Sequence, residues 1–322
     1  MRFVEAGLAA CVLALPGIGL AQSWPSKPVS MINPFAPGGG VDAFGRPLSV
    51  YLSKTLGQQF LVENLAGAGG TVGAAAAAKR PADGYQFFLG AVHHTIAESL
   101  YTRLPYSLEK DFAPITVLAY VPNVVVVHPK HGSLNSIKDV IAFARTNPGK
   151  LNYGSAGNGT THHLAGELFK TMTGVDITHI PYKGAGPMMQ DLIAGQVDMA
   201  FDGMSTSAPQ IKAGKLKPLA VTTKERSFVA PNVPTMQEAG LTGYVVTTWY
   251  ALWAPRGTPK DALERMHRET VKAMHSPELK QVWESQGATA GGEPPEEFAK
   301  LVKSEIAKWA RVVKDSGAKV DN

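Results

Sequence analysis

The chain has 322 residues, 44% of them apolar and 18% charged, which is ample material for packed cores and excludes a disordered chain. Lys plus Arg is 31 against 26 for Asp plus Glu, a formal charge of +5, and no basic block is dense enough to offer a nucleic-acid face, so no nucleic-acid partner is expected. A single cysteine excludes a disulfide framework and a cysteine-rich metal site, and at roughly 100–200 residues per domain the length predicts about two domains.

Residues 1–21 read as a secretory signal peptide. Arg2 supplies a positive end, residues 6–20 are apolar, and Gly19-Leu20-Ala21 offers small residues at the positions a signal peptidase reads. The stretch is short for a membrane span and carries Pro16. A buried N-terminal helix is one alternative. A second is lipidation at Cys11, which follows Leu8-Ala9-Ala10, but a cut there leaves almost no hydrophobic region upstream. Cleavage after Ala21 removes Cys11, and a thiol-free chain suits an oxidising compartment. The expected location is outside the cytoplasm.

In chain order, residues 29–34 predict a strand, 37–40 a glycine loop, and 42–56 a helix with Phe44, Leu48, Tyr51 and Leu52 on one face. A strand at 60–63, a glycine turn at 67–70, an alanine-rich helix at 72–79 and a strand at 85–89 follow. Strand–helix–strand–helix–strand predicts a parallel sheet with right-handed crossovers. Residues 114–128 form a long extended stretch that leaves for a second unit. There the pattern repeats: helix 137–146, strand 151–153, a glycine loop, helix 161–173, strand 177–180, helix 188–194 and strands 197–201 and 218–222. Residues 244–254 are a second extended run, a return crossing. Helices at 261–275, 278–286 and 296–315 close the chain. Two crossings divide it into one lobe of residues 22–119 plus 254–322 and another of 120–253. The fold class is α/β, with two lobes, each a mostly parallel sheet flanked by helices, around one cleft where ligands bind.

Two loops carry the chemistry. Phe35-Ala36-Pro37-Gly38-Gly39-Gly40-Val41-Asp42 and Gly154-Ser155-Ala156-Gly157-Asn158-Gly159-Thr160-Thr161 each join a strand to a helix start. Glycines allow close backbone approach, and the N–H groups of a helix start favour an anion. Neither loop holds Lys or Arg. Each alone is readable as an ordinary capped turn; two at matching places point to a site. Gly38 to Ala43 also fits a loose G-x-G-x-x-A dinucleotide pattern with Glu63 ending the next strand, the enzyme alternative. The export signal, Pro37 in the turn and the want of an acid–base pair stand against it. The pairs His93-His94 and His162-His163 do not chelate one ion, because adjacent side chains diverge. His94 and His163 are expected to orient loops or line the cleft. Trp249 and Tyr250 either flank a ligand or form hinge core.

The ordered stretches Pro34 to Asp42, Glu63 to Gly70, Pro81-Ala82-Asp83-Gly84-Tyr85, Asp111 to Ile115, Tyr153 to Thr160, His179 to Gly184, Val233 to Gly240 and Ala254 to Pro259 resemble the Bug family, the periplasmic substrate-binding receptors of tripartite tricarboxylate transporters. The resemblance implies a two-lobed, type II-like periplasmic binding protein. It would bind a small carboxylate (a di- or tricarboxylate, acidic amino acid or aromatic acid) between the two loops and deliver it to a membrane permease. Carried over residue by residue, Phe35, Ala36, Gly39, Gly40 and Asp42 come from the first loop, and Ser155, Ala156, Asn158, Thr160 and Thr161 from the second. His94 and Asp202 are implied as walls near the ligand's far end. His93, His162 and Ala97-Glu98-Ser99 depart from the family pattern and leave the ligand's identity open. No cofactor, metal or catalytic group is expected, and the receptor is read as a monomer. A carboxylate-sensing signalling component is the alternative, an exported dinucleotide-dependent enzyme the third.

Overall fold

The β-α-β run expected at the head of each half is present in a computed structural model that describes residues 24–316; the signal segment, residues 1–21, lies outside the described residues. The first half runs β1 (Val29–Asn33), α1 (Gly40–Leu56), β2 (Phe60–Asn64), a short turn at Ala68–Gly70, α2 (Thr71–Ala78), β3 (Gln86–Ala91), α3 (His93–Leu100) and α4 (Leu108–Asp111). The long strand β4 (Phe112–Val127) leads into α5 (Ile137–Thr146), β5 (Asn152–Ser155), α6 (Thr161–Thr173), β6 (Thr178–Pro181), α7 (Ala185–Ile193), β7 (Met199–Gly203), α8 (Met204–Lys212) and β8 (Lys217–Val221). The chain returns through β9 (Thr247–Pro255) to α9 (Lys260–Met274), α10 (Pro277–Glu284), β10 (Thr289–Ala290) and α11 (Pro295–Ser316).

Two sheets share β4. One has the order β2-β1-β3-β9-β4, with β10 also on β4. In the other, β6-β5-β7 leads to β4, which carries β8 as well. The β1–β2, β1–β3, β5–β6 and β5–β7 pairs are parallel. The crossing strands are not: β9 runs antiparallel to both β3 and β4, and β4 antiparallel to β7 and β8. The sheets are therefore more mixed than the mostly parallel expectation. The physical reason is that β4 carries the chain out of one lobe and β9 carries it back, so their directions are set by the connection. Along β4, residues up to Pro122 pair with β9, and Asn123–Val127 pair with β7 and β8.

The elements form for local reasons. Helix α1 buries Phe44, Leu48 and Leu52, spaced four apart, and stops at Gly57, whose φ of 70° only glycine takes without strain. Helix α6 starts on Thr160 and stops at Gly174 (φ 68°). In β4 the side chains alternate. Val125 and Val127 pack with Tyr153, Phe169, Phe201 and Tyr244 inside the second lobe. Val124 and Val126 face a core that also takes in Phe44, Met188 and Tyr250 and so runs across the seam. Among the described residues, no helix is long and apolar enough to cross a membrane.

Candidate functional site

At the seam lies a small cavity whose volume is about 10 Å3, room for about one water. One lobe lines it with Asn33, Phe35, Ala36, Gly39, Gly40, Val41, Asp42, His93 and Tyr250, the other with Ala156, His162 and Ala185. None of these is Lys or Arg.

The first loop is shaped by its own amides and one carboxylate. Asn33 Oδ1 accepts from the Phe35 N–H at 3.0 Å, and Asn33 Nδ2 donates to Asp42 Oδ1 at 2.7 Å. Asp42 Oδ2 accepts from the Gly38 N–H at 2.7 Å, and Arg46 Nε approaches Oδ1 at 3.1 Å. Asn64 Nδ2 donates to the Phe35 carbonyl at 2.8 Å. Asp42 is thus turned back into its own loop, which it braces. Gly39, at the N-cap of α1, has no side chain to offer the first-turn N–H groups, which also lack intrahelical acceptors.

Opposite stands a second helix start. Gly184 caps α7, again without a side chain. The Ala36 N–H donates to the Lys183 carbonyl at 2.9 Å across the seam. A Cβ built on Gly39 would lie 3.4 Å from Ala185 N, and one on Gly186 only 2.1 Å from the Pro37 carbonyl oxygen. The two lobes therefore meet glycine to glycine. The N-termini of α1 and α7 converge on one point, an arrangement that favours an anion.

The second predicted loop is placed differently. Only Ala156 reaches the cavity. Ser155 Oγ lies 2.7 Å from His179 Nε2 and accepts from the Gly157 N–H at 3.1 Å. Thr160 Oγ1 donates to the Gly157 carbonyl at 2.8 Å and accepts from the His163 N–H. The Thr161 N–H donates to His93 Nδ1 at 3.1 Å, and its hydroxyl meets that of Thr248 at 2.6 Å. The Asn158 carbonyl accepts from Tyr101 Oη at 3.3 Å. These groups lock the loop and tie it to the other lobe.

Neither far-wall residue is on the cavity wall. His94 is wholly buried under Phe88, with ring centroids 4.9 Å apart, and its Nδ1 lies 3.0 Å from both the N–H and the carbonyl of Ala91. Burial pulls its pKa down to about 4. Asp202 is also wholly buried; its Oδ2 accepts from the hydroxyls of Thr206 and Ser207, and it stands behind His162, with Oδ1 3.5 Å from Nδ1. The wall itself is His93, His162 and Tyr250. Burial holds His93 well below its ordinary range, and neighbouring His162 and His94 add to this. Burial lowers His162 too, against the opposing pull of Asp202. The phenol of Tyr250 is pushed up, first by burial and then by Asp202.

Sequence reasoning left Trp249 and Tyr250 open together, and the strand separates them. Tyr250 stacks on Phe44 at 5.1 Å and lines the cavity, while Trp249 packs edge-on to Phe298 in the opposite core. His93 and His162 drew notice only as departures. The signal that marked them was the adjacent histidine pairs: one member of each faces the cleft and the other braces a loop. Asn33, Val41 and Ala185 were not singled out. Glu63, the acid that the dinucleotide alternative calls on, has both oxygens accepting from Arg80 at 2.7–2.8 Å. Among the described residues, no group of three or more His, Cys, Asp or Glu is placed to hold a metal ion.

Three comparisons place the chain among known proteins. The family described as "Tripartite tricarboxylate transporter family receptor" matches residues 45–318. The chain is 37% identical over 302 residues to Protein BugT of Bordetella pertussis, covering 93% of this chain and 92% of that protein. Among solved structures, it is similar to a protein of R. palustris with adipate (38% identity, TM-score 0.88, 92% of this chain and all of that one). It is also similar to the periplasmic binding protein BugD (34% identity, TM-score 0.89, 92% of this chain and 99% of that one).

Proposed function

The chain belongs to the tripartite tricarboxylate transporter receptor family, and from that premise we propose that it captures a small organic carboxylate between its lobes in the periplasm and presents it to a membrane permease. The observation that carries this is the meeting of two side-chain-free helix starts, α1 behind Gly39 and α7 behind Gly184, in a cavity lined by no Lys or Arg. The cavity as it stands has room for about one water, so the lobes must part to admit a carboxylate; held between them, it takes neutral N–H donors from both sides, at about 1.5–3 kcal/mol for each charge-assisted bond. Because the donors come from both sides, the ligand stabilises the closed arrangement by contacts the open one lacks. The adipate in a relative at 38% identity supports the ligand class.

The lobes in this reading are residues 22–119 plus 254–322 and residues 120–253, preceded by a cleaved signal at 1–21. The change of partners along β4 at Pro122 and Asn123 supports a division close to 119/120, whereas β9 pairs with β3 and β4, which favours a return boundary near Thr247 in place of 253 and puts Tyr250 in the first lobe. Calorimetry of the exported chain against a panel of small organic acids, each paired with its methyl ester, tests the proposal. At least one acid should bind with micromolar or tighter affinity, and its ester should bind at least tenfold more weakly. Equal binding of acid and ester throughout the panel, or no binding by any acid, overturns it.

A further inference from the structure

We propose that the far end of this cleft selects a neutral hydrogen-bonding group, read jointly by His93 and His162, so that the preferred ligand carries one carboxylate and an uncharged donor–acceptor tail. The inference rests on the carboxylate reading above and narrows it.

The ring tautomers carry the argument. His93 Nδ1 accepts the Thr161 N–H at 3.1 Å, so this ring has its proton on Nε2 and can donate from there. His162 turns Nδ1 toward Asp202 Oδ1 at 3.5 Å, too long for a good hydrogen bond but close enough to draw the ring proton to that side. Its Nε2 is then a bare acceptor. His162 is 2% exposed, and both of its nitrogens, together with Asp202 Oδ1, have no hydrogen-bond partner among the described residues. Buried polar atoms are nearly always paired, so a ring left in this state beside a cavity points to a partner inside that cavity, a place the ligand's tail can take. One histidine offering a proton and one offering a lone pair suit a hydroxyl, a carboxamide or a protonated acid, each of which donates and accepts.

Charge argues the same way. The groups facing His162 are His93 from α3, Asp202 from β7, Tyr250 from β9 and Ser205 from α8, with Asp42 of α1 on the same cavity; none is a cation at neutral pH. A second ligand carboxylate here would sit near buried Asp202 with no positive charge to meet it. It could be accommodated only by taking up a proton, on the ligand's own carboxyl or on His162, where burial resists the charge. The two rings belong to opposite lobes and stand edge to face with centroids 6.0 Å apart, so the tail is read as the lobes close on it and holds them slightly wider than here.

Calorimetry of the exported chain with matched pairs tests this: adipate against its monoamide, and glutarate against 5-hydroxypentanoate, each at pH 8 and pH 6. At pH 8 the monoamide and the hydroxy acid should bind at least tenfold more tightly than their diacids. At pH 6 the gap should narrow, with the diacids alone taking up close to one proton, measured from the dependence of binding heat on buffer ionisation. Asp202→Asn should narrow the gap at pH 8 by relieving the repulsion, and His162→Leu should reduce it to under threefold; circular dichroism controls for folding, and either variant suffices. Diacids that bind as tightly as their partners at pH 8, or a gap unmoved in folded variants, overturn the inference and leave the carboxylate site standing. Failure of every acid, mono or di, overturns the carboxylate site itself and this inference with it.

Discussion

The loop after β1 and the loop after β5 share one plan: a strand, a run of glycines and the start of a long helix. They spend it differently. In the first, Asp42 and Asn33 fold inward and brace the turn, and the α1 start faces α7 across the seam. In the second, Thr160 caps α6, Ser155 is taken by His179 and by the Gly157 N–H, and the Thr161 N–H is taken by His93. What a helix start offers a ligand thus depends on which neighbouring side chains have already claimed its donors. The partner of the first loop is the glycine turn at Gly184 and Gly186, and the second loop acts as the clasp that ties the lobes.

The largest effect should come from placing a side chain where the two helix starts touch. Gly186→Val puts a Cβ against the Pro37 carbonyl, with no strain inside its own lobe, since its φ is not in the left-handed region. Carboxylate affinity should fall at least ~100-fold, the loss of two or more charge-assisted bonds, while the melting temperature of the ligand-free protein moves little. Gly157→Ala is the contrast. Its φ of 126° and a Cβ 2.9 Å from the Tyr182 carbonyl strain the second loop itself, so the melting temperature should drop first. Equal affinity losses with equal melting shifts would erase the distinction between the loops. Next in size is Asp42→Ala, which leaves the Asn33 amide and the Gly38 N–H without their acceptor. Chemical denaturation should show a loss of about 2–4 kcal/mol, with ligand binding impaired because the turn is no longer braced.

Much of the fold was legible because periodicity and punctuation agreed. The bounds of α5 and α6 follow from Ser136 and Thr160 as caps and from Gly174 as a stop. Helices α3 and α8 were missed: α3 opens on two histidines directly after a strand, and α8 is polar and contains Pro209. At α7 the apolar spacing starts at residue 188, and the helix's first turn, Ala185 and Gly186, carries no side-chain pattern to mark it, although Ala185 lines the cavity. In the first loop every residue marked from the sequence, Phe35, Ala36, Gly39, Gly40 and Asp42, lines the cavity. The second was legible only as a loop, because whether Ser155 or Thr161 faces a ligand depends on His179 and His93, which are distant in sequence. The far wall was hidden for the same reason, since Asp202 lies behind His162 and does not line the cavity.

Acid should act on the two lobes through these buried rings. His94, in the first lobe, has a folded pKa of about 4 against 6.5 when unfolded, and His179, under the second loop, about 3, both held down chiefly by burial. Above pH 6.5 neither state binds the proton and neither ring affects stability. As pH falls below 6.5 the unfolded chain takes up protons the native state refuses, so stability declines down to about pH 4 for His94, by about 1.4 kcal/mol per pH unit. Denaturation midpoints between pH 7 and pH 4.5 should fall steadily, and His94→Gln should flatten the slope. A variant with an unchanged slope would show that His94 is not held neutral.

The smallest effect separates two roles for Thr160. Its hydroxyl has one proton, and the structure commits that proton to the Gly157 carbonyl at 2.8 Å, while the oxygen accepts from the His163 N–H as the cap of α6. A hydroxyl so engaged has no proton left for a ligand carboxylate. Thr160→Ala should therefore cost about 1 kcal/mol of stability, the usual worth of an N-cap, and lower the melting temperature by roughly 2–4 °C. Affinity should stay within about twofold of the parent value. Thr160→Ser, which keeps both bonds, should restore stability. If instead the hydroxyl donated to the ligand, its removal would take away about 1.5–3 kcal/mol of binding, roughly a 10- to 150-fold loss. Calorimetry and thermal melts on the same two variants distinguish these outcomes. A tenfold or greater loss of affinity in Thr160→Ala, with melting unchanged, would move the second loop from clasp to ligand contact and restore the symmetry between the two loops.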